Sequence, residues 1–338
     1  MMKQQKQRTI PFPMKLIVGF ILLVIFFTIA MAFGAADTTL KEVWLAIVAQ
    51  GKISETVTMI REIRLPREIG AIFIGAALSV AGAIMQGMTR NPLADPGILG
   101  LTAGANAALA FAMALLPSLS YFGIMTSCFI GAAIGAFLVF GISMVQRGGF
   151  SPFRLVLAGT AVSVFLYAIA DGIGLIFKVS KDVSMWTSGG LVGTSFDQLQ
   201  IVIPTILIGI FIAILLSRQL TVLSLSEEVA VGLGQHTLLV KILLFIVIIV
   251  LVGTSVALVG NLAFIGLMVP HMVRAFVGTD YRHVIPMTAI FGACLMLLAD
   301  TVGRTINAPY ETPLAAIIAI LGLPFFLVIV RKGGKAFS

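Results

Sequence analysis

Apolar residues gather along this chain into ten runs, at about residues 14–33, 68–88, 97–116, 122–145, 153–177, 199–216, 241–259, 262–276, 284–304 and 312–330. A helix that crosses a bilayer needs about 20 predominantly apolar residues. The pattern therefore predicts ten membrane-spanning helices, with the eighth short and its start poorly marked. In the second run Ala71, Gly75, Ser79, Ala83 and Gly87 recur every fourth residue, and Gly100, Gly104, Ala108 and Ala112 do so in the third. Small residues at that interval let helix backbones approach closely, so both stripes read as packing faces. The longest hydrophilic interruption in the second half is 217–241. Ser224 and Glu227 there have the spacing of a capping box. Leu225, Val229 and Leu233 follow as an apolar stripe, and Gly234 stands where helices end in the left-handed conformation. The expectation is a short amphipathic helix at a membrane surface. It serves either as a lid on its own loop or as a surface offered to a soluble partner.

Composition agrees with a membrane solution. The chain has 338 residues, 59% hydrophobic and 11% charged, with mean hydropathy +1.11. A soluble domain carries about 25% charged residues. The expected class is all-α and polytopic, one transmembrane domain over 1–338 that includes the 217–241 loop. The net charge of +8 forms no basic stripe, which argues against a nucleic-acid partner. Cys128 and Cys294 lie inside apolar runs, and His236, His271 and His283 are dispersed, so neither a disulfide, a metal site nor a cofactor is expected. Lys3, Lys6, Arg8 and Lys15 precede the first run, which is longer than a usual signal-peptide core and reads as an uncleaved span. With the N-terminus inside, the inner loops hold 14 basic residues and the outer segments 8. By the positive-inside rule both termini and the 217–241 loop are then cytoplasmic.

Between the second and third runs lies QGMTRNPLADPGILG, Gln86 to Gly100. Asn91-Pro92 and Asp95-Pro96 each push the residue before proline out of the helical region, which makes a rigid turn. Taken alone it is only a turn. Placed after the small-residue span, it resembles the FecCD-type permease subunits of binding-protein-dependent ABC importers for iron–siderophores, haem and cobalamin. Further segments carry the same resemblance: Arg64-Leu65-Pro66-Arg67, LSEEVAVGLG from Leu225 to Gly234, VALVGNLAFIGLMVPHMVR from Val256 to Arg274, LLADTVGRTINAPYETP from Leu297 to Pro313, and LGLPFFLVIVRK from Leu321 to Lys332. Ser226 stands where glycine is common in the family. The first 55 residues and 105–150 match in hydrophobicity alone.

The resemblance implies a type II ABC importer permease in the bacterial cell membrane. Its partners would be a cytoplasmic ABC ATPase dimer, an extracytoplasmic substrate-binding protein, a second permease subunit and membrane lipid. Leu225, Glu227, Glu228, Val229, Gly232, Leu233 and Gly234 would dock on the ATPase, and Asn91 and Leu93 would belong to a cytoplasmic gate. Arg64, Arg67 and Arg304, with Arg61 a weaker fourth, would receive carboxylates of the binding protein. The loop Phe150-Ser151-Pro152-Phe153 departs from the family's small polar residues and inherits no gate role. Spacing offers a plainer account of the arginines: Arg64 pairs with Glu68, Arg304 pairs with Asp300, and long stems reach the interface. Pro66 is expected in the first turn of the second span, with Leu65 extended before it and Arg67 at the positive end of the helix dipole.

No G-x-x-x-x-G-K-[ST] segment is present, so the chain itself is not expected to be an enzyme, and ATP hydrolysis belongs to a separate chain. Asp171 and Asp300 sit near span ends, away from the midplane where proton-coupled carriers keep ionisable groups, which argues against a secondary transporter. No His, Asp or Glu cluster suits a membrane-embedded enzyme. Ferric siderophore is the commonest cargo of the resembled family and the expected one here, with haem and cobalamin as alternatives.

Overall fold

Among the described residues of the computed structural model seven helices are long and apolar enough to cross a membrane, and three shorter apolar helices, Leu101–Leu115, Ile265–Val277 and Leu314–Ile329, fall in the third, eighth and tenth apolar runs. The structure describes residues 11–33, 39–48, 54–145, 152–188, 190–308 and 310–331. Lys3, Lys6, Arg8, Lys52, Arg147, Phe150, Ser151, Lys332 and Lys335 lie outside the described residues.

Helix α1 (Phe12–Ala32) is followed by the short α2 (Leu40–Val48) and α3 (Glu55–Met59). A π-helical turn, Ile60–Arg64, joins α3 without a break to α4 (Leu65–Thr89). This corrects the expectation that Pro66 opens the span. Leu65 is helical at φ −60°, ψ −49°, and its N–H donates to Ile60 O, one residue wider than an α-helical bond. A wider turn there accommodates a proline ring that would otherwise crowd the preceding turn. Arg67 thus sits well inside a continuous helix from Glu55 to Thr89 and not at its positive end.

The chain continues through a 3₁₀ turn, Pro96–Leu99, into α5 (Leu101–Leu115), α6 (Tyr121–Val145), α7 (Pro152–Phe177), α8 (Ser180–Ser188) and α9 (Phe196–Leu215). Two short helices, α10 (Ser217–Leu225) and α11 (Glu227–Gly232), then lead into α12 (Thr237–Val259). The last three are α13 (Ile265–Val277), α14 (Tyr281–Thr305) and α15 (Leu314–Arg331). The eighth apolar run is short because Gly260 to Phe264 is non-helical and α13 begins only at Ile265.

Helix α4 is the axis of the packing, with 83% of its apolar window buried. Its small-residue stripe does what the spacing predicts. A Cβ on Gly75 would overlap the Gly292 carbonyl of α14, and one on Gly104 would overlap the Gly131 carbonyl where α5 meets α6. Contacts this close suit a lipid solvent, where helices associate through packing more than through exclusion of water. By contrast α1 buries only 17% of its window, so most of its surface faces outward.

Candidate functional sites at the two ends of the bundle

The two ends of the bundle differ in chemistry. One carries Arg64, Arg67 and Arg304 and is the arginine end. The other carries the Asn91 turn and residues 217–236 and is the loop end.

At the arginine end the guanidinium groups turn inward. Arg67 is held by both oxygens of Asp300, at 2.9–3.1 Å, and by both oxygens of Glu311, at 2.7 and 3.0 Å. Arg304 pairs with Glu68 and also donates to Ala30 O at 3.1 Å. Its Nε lies 2.9 Å from Asp300 Oδ2, the i,i+4 pair that spacing predicts. Arg64 donates to Met31 O at 2.7 Å, and Arg61 donates to Ala46 O at 2.9 Å. The expected Arg64–Glu68 pair is therefore replaced by Glu68–Arg304, which crosses from α4 to α14. Glu68 and Asp300 are 0% and 1% exposed, Arg64 and Arg304 6% each. Groups this deep are tolerated only when paired. Arg64, Arg67 and Arg304 therefore all have partners within the chain. In this conformation they clasp α1, α4, α14 and the loop around Glu311. That loop lies outside the spans, and its hydrogen bond to Arg67 holds the Glu311 carboxyl below its ordinary value. Next to the clasp is a cavity of about 690 Å³, lined among others by Arg67, Tyr121, Trp186, Asp300 and Glu311.

At the loop end α4 stops at Arg90, which takes the left-handed conformation at φ 53°. Asn91 Oδ1 accepts from Leu93 N at 3.0 Å, and Asp95 Oδ1 accepts from Gly97 N at 2.7 Å. Both proline-flanked positions are therefore pinned by side-chain turns, the rigidity expected of this segment. Asn91 and Leu93 are half-buried at the edge of the bundle.

The amphipathic helix forms two residues later than its capping signal suggests. Ser224 belongs to α10 and donates to Thr221 O, while Ser226 is the N-cap, accepting from Val229 N at 3.0 Å. The reason is that α10 already satisfies the backbone through Leu225, so the break and the cap fall together at Ser226. Gly234 has φ 77° and closes the helix as predicted. Glu227 bonds Lys241 at 2.6 Å, which holds its carboxyl below its ordinary value. Leu225, Val229 and Leu233 are 68%, 44% and 70% exposed, and neighbouring Val231 and Leu238 are also exposed. The stripe faces away from the bundle, so α11 does not act as a lid on its own chain. Glu228 and Gly232 lie on the same exposed helix.

Among the described residues no group of three His, Cys, Asp or Glu could hold a metal ion, and Cys128 and Cys294 are free. The FecCD transport family model matches residues 22–332, nearly the whole chain. This chain belongs to the FecCD transport family. It is an ABC-type permease of iron–chelate import, a multi-pass protein of the bacterial inner membrane. It is 42% identical to the iron(3+)-hydroxamate import system permease protein FhuB of Bacillus subtilis, over 97% of this chain and 86% of that protein. It is 43% identical to the iron-uptake system permease protein FeuB of the same organism, over 80% of this chain and 82% of that protein. A solved metal-chelate type ABC transporter in an inward-facing conformation superposes with TM-score 0.81 at 28% identity, covering 95% of this chain and 99% of the other. The FecCD permease accordingly has the all-α importer fold that its motifs imply, and it serves as a transport subunit.

Sequence reasoning misses three residues that matter to this geometry. Glu311 gives no charge-spacing signal, because its partner Arg67 is far away in the chain. Gln86 and Arg274, both buried, bond each other at the loop end. Each lies inside a quoted family segment, which was the available clue.

Proposed function

We propose that this permease carries a ferric siderophore across the membrane in an ATP-driven importer, with both termini and the loop end cytoplasmic. The observation that carries the reading is the exposed apolar face of Leu225, Val229 and Leu233 beside the Asn91 turn. An apolar face that its own chain leaves uncovered, outside the spans and flanked by Glu227 and Glu228, suits a soluble ATPase. Asn91 and Leu93 then form part of the gate at the cytoplasmic mouth. A second permease subunit completes the pathway. The similarity to a hydroxamate permease supports a ferric hydroxamate as cargo. At the opposite end an extracytoplasmic binding protein docks by offering carboxylates in place of Glu311, whose side chain is 41% exposed while that of Arg67 is 11% exposed. Arg64 and Arg304 hold the clasp that presents Arg67, and Arg61 lies at its margin.

Two measurements test this. In a background without Cys128 and Cys294, a cysteine at Gln235 resists an impermeant thiol reagent in intact cells and one at Lys181 reacts. The reverse pattern overturns the orientation. With ATPase and binding protein in proteoliposomes, ATP-dependent uptake of a ferric hydroxamate is expected, and uptake of haem or cobalamin in its place overturns the cargo.

A further inference from the structure

Gln86 in the last turn of α4 is 3% exposed, and its amide is fully engaged. Its Nε2 donates to Gly266 O and Leu267 O at 3.2 Å each, and its Oε1 accepts from Arg274 Nη2. One side chain thus ties the end of α4 to the first and the last turn of α13. The Gln86 carbonyl accepts from Asn91 N at 3.2 Å, so the same residue anchors the gate turn. Arg274 stacks over the Tyr281 ring, 5.9 Å from its centroid. Tyr281 is the first residue of α14, where helix N–H groups lack intrahelical partners. Its N–H donates to Thr221 Oγ1 of α10 at 2.9 Å. Backbone contact runs parallel to this chain of bonds. A Cβ on Gly87 would come within 2.6 Å of the Tyr281 ring and 2.9 Å of Leu220. Helix α10 therefore presses on α4 and α14 together, and it is joined through Ser226 to α11.

We infer that Thr221, Tyr281, Arg274 and Gln86 are positioning residues that carry movement of the α10–α11 pair to the Asn91–Leu93 gate. The inference rests on the reading that α11 docks on an ATPase, and it adds how a shift there reaches the pathway. Buried polar contacts suit the task. They hold one arrangement firmly and exchange for another as a unit, unlike slippery apolar packing. The series has no exposed member to absorb the motion, since Tyr281 is 4% and Arg274 8% exposed.

The test uses the permease–ATPase complex in lipid nanodiscs and needs no cargo. With Cys128 and Cys294 replaced, a Leu93→Cys permease is treated with a thiol reagent, without nucleotide and after vanadate trapping with ATP. Trapping is expected to change the reaction rate by about fivefold or more, the usual scale of coupling between distant sites. Thr221→Val removes the acceptor for the Tyr281 N–H at equal volume, and Gln86→Leu removes the bond to Arg274. Both are expected to bring the ratio of rates near one while the ATPase still co-purifies and hydrolyses ATP. Thr221→Ser keeps the acceptor for the Tyr281 N–H and is expected to retain the wild-type ratio. A wild-type ratio in Thr221→Val and Gln86→Leu, with ATPase bound, overturns the relay alone. Failure of the unsubstituted permease to hold any ATPase overturns the docking reading and the relay with it.

Discussion

The arginine end and the loop end contain similar chemistry used in opposite ways. Both have basic residues, carboxylates and a helix terminus. At the arginine end the charges are buried and spent on one another, with Arg67 gripped by Asp300 and Glu311 and Arg304 by Glu68 and the same Asp300. At the loop end one exposed helix pair carries a single clasp, Glu227–Lys241, and turns its leucines and valines outward. The difference is one of purpose. A buried ion network fixes the relative position of helices, because separating its members strands a charge in a poor solvent. An uncovered apolar stripe fixes nothing by itself and gains only when another surface covers it.

The largest expected effect follows from breaking the first of these. Glu68→Ala leaves Arg304 without its α4 partner at a site that is fully buried. Removing one member of a buried pair costs about 3–5 kcal/mol. Thermal unfolding of the purified permease in detergent should show a lower midpoint in Glu68→Ala than in wild type, with Arg282→Ala, which alters an exposed pair, close to wild type. Equal midpoints for Glu68→Ala and wild type would remove the clasp from the account of stability.

A smaller effect, confined to binding, is expected at the other end. Val229→Asp places a charge on the exposed stripe, at a cost of about 2–5 kcal/mol when buried unpaired against a partner. The unfolding midpoint should stay near wild type, because Val229 is 44% exposed and stands outside the buried core. Co-purification of the ATPase should fall. A variant that loses midpoint but keeps its ATPase would show the stripe to be structural and erase the contrast between the ends.

Much of the bundle was legible because lipid imposes simple rules. Ten apolar runs, two small-residue stripes and two proline-marked turns all appear where the pattern puts them. What the pattern could not show was which partner a charge takes. Spacing proposes neighbours on one helix, and it succeeds for Arg304 with Asp300. It fails for Glu68, because a carboxylate from α4 reaches α14 more directly than it reaches Arg64 across a π-helical turn that shifts the register. Pro66 misled for the same reason, since the turn that accommodates it has no signature in hydropathy. The cap at Ser226 was missed because Ser224 offers the same chemistry two residues earlier, and only the length of α10 decides between them.

The smallest and most direct comparison sets one half-exposed ion pair at each end against the other. Glu311 with Arg67 and Glu227 with Lys241 have similar geometry, with glutamates 41% and 43% exposed. Each glutamate is held below its ordinary value of 4.5, chiefly by the hydrogen bond from its partner. A carboxyl depressed in the folded state binds fewer protons than in the unfolded chain. Its pair therefore stabilises the fold above the unfolded value and is lost as pH falls through the lower folded one. Solvent screening at this exposure keeps each contribution below about 1 kcal/mol. Glu311→Gln and Glu227→Gln should each lower the unfolding midpoint slightly at about pH 7, and the deficit should shrink as the pH falls below 4.5 and through the lower folded value, where the wild-type carboxyl protonates. The two ends should then part company in one respect. Arg67 keeps its grip on Asp300 when Glu311 is replaced, whereas replacing Glu227 removes the carboxylate that tethers α11 to Lys241, so the loop-end deficit should be the larger. Midpoints measured across that pH range for both variants decide it. A deficit that persists unchanged into acid would mean that packing of the glutamate stem, not its charge, makes the contribution.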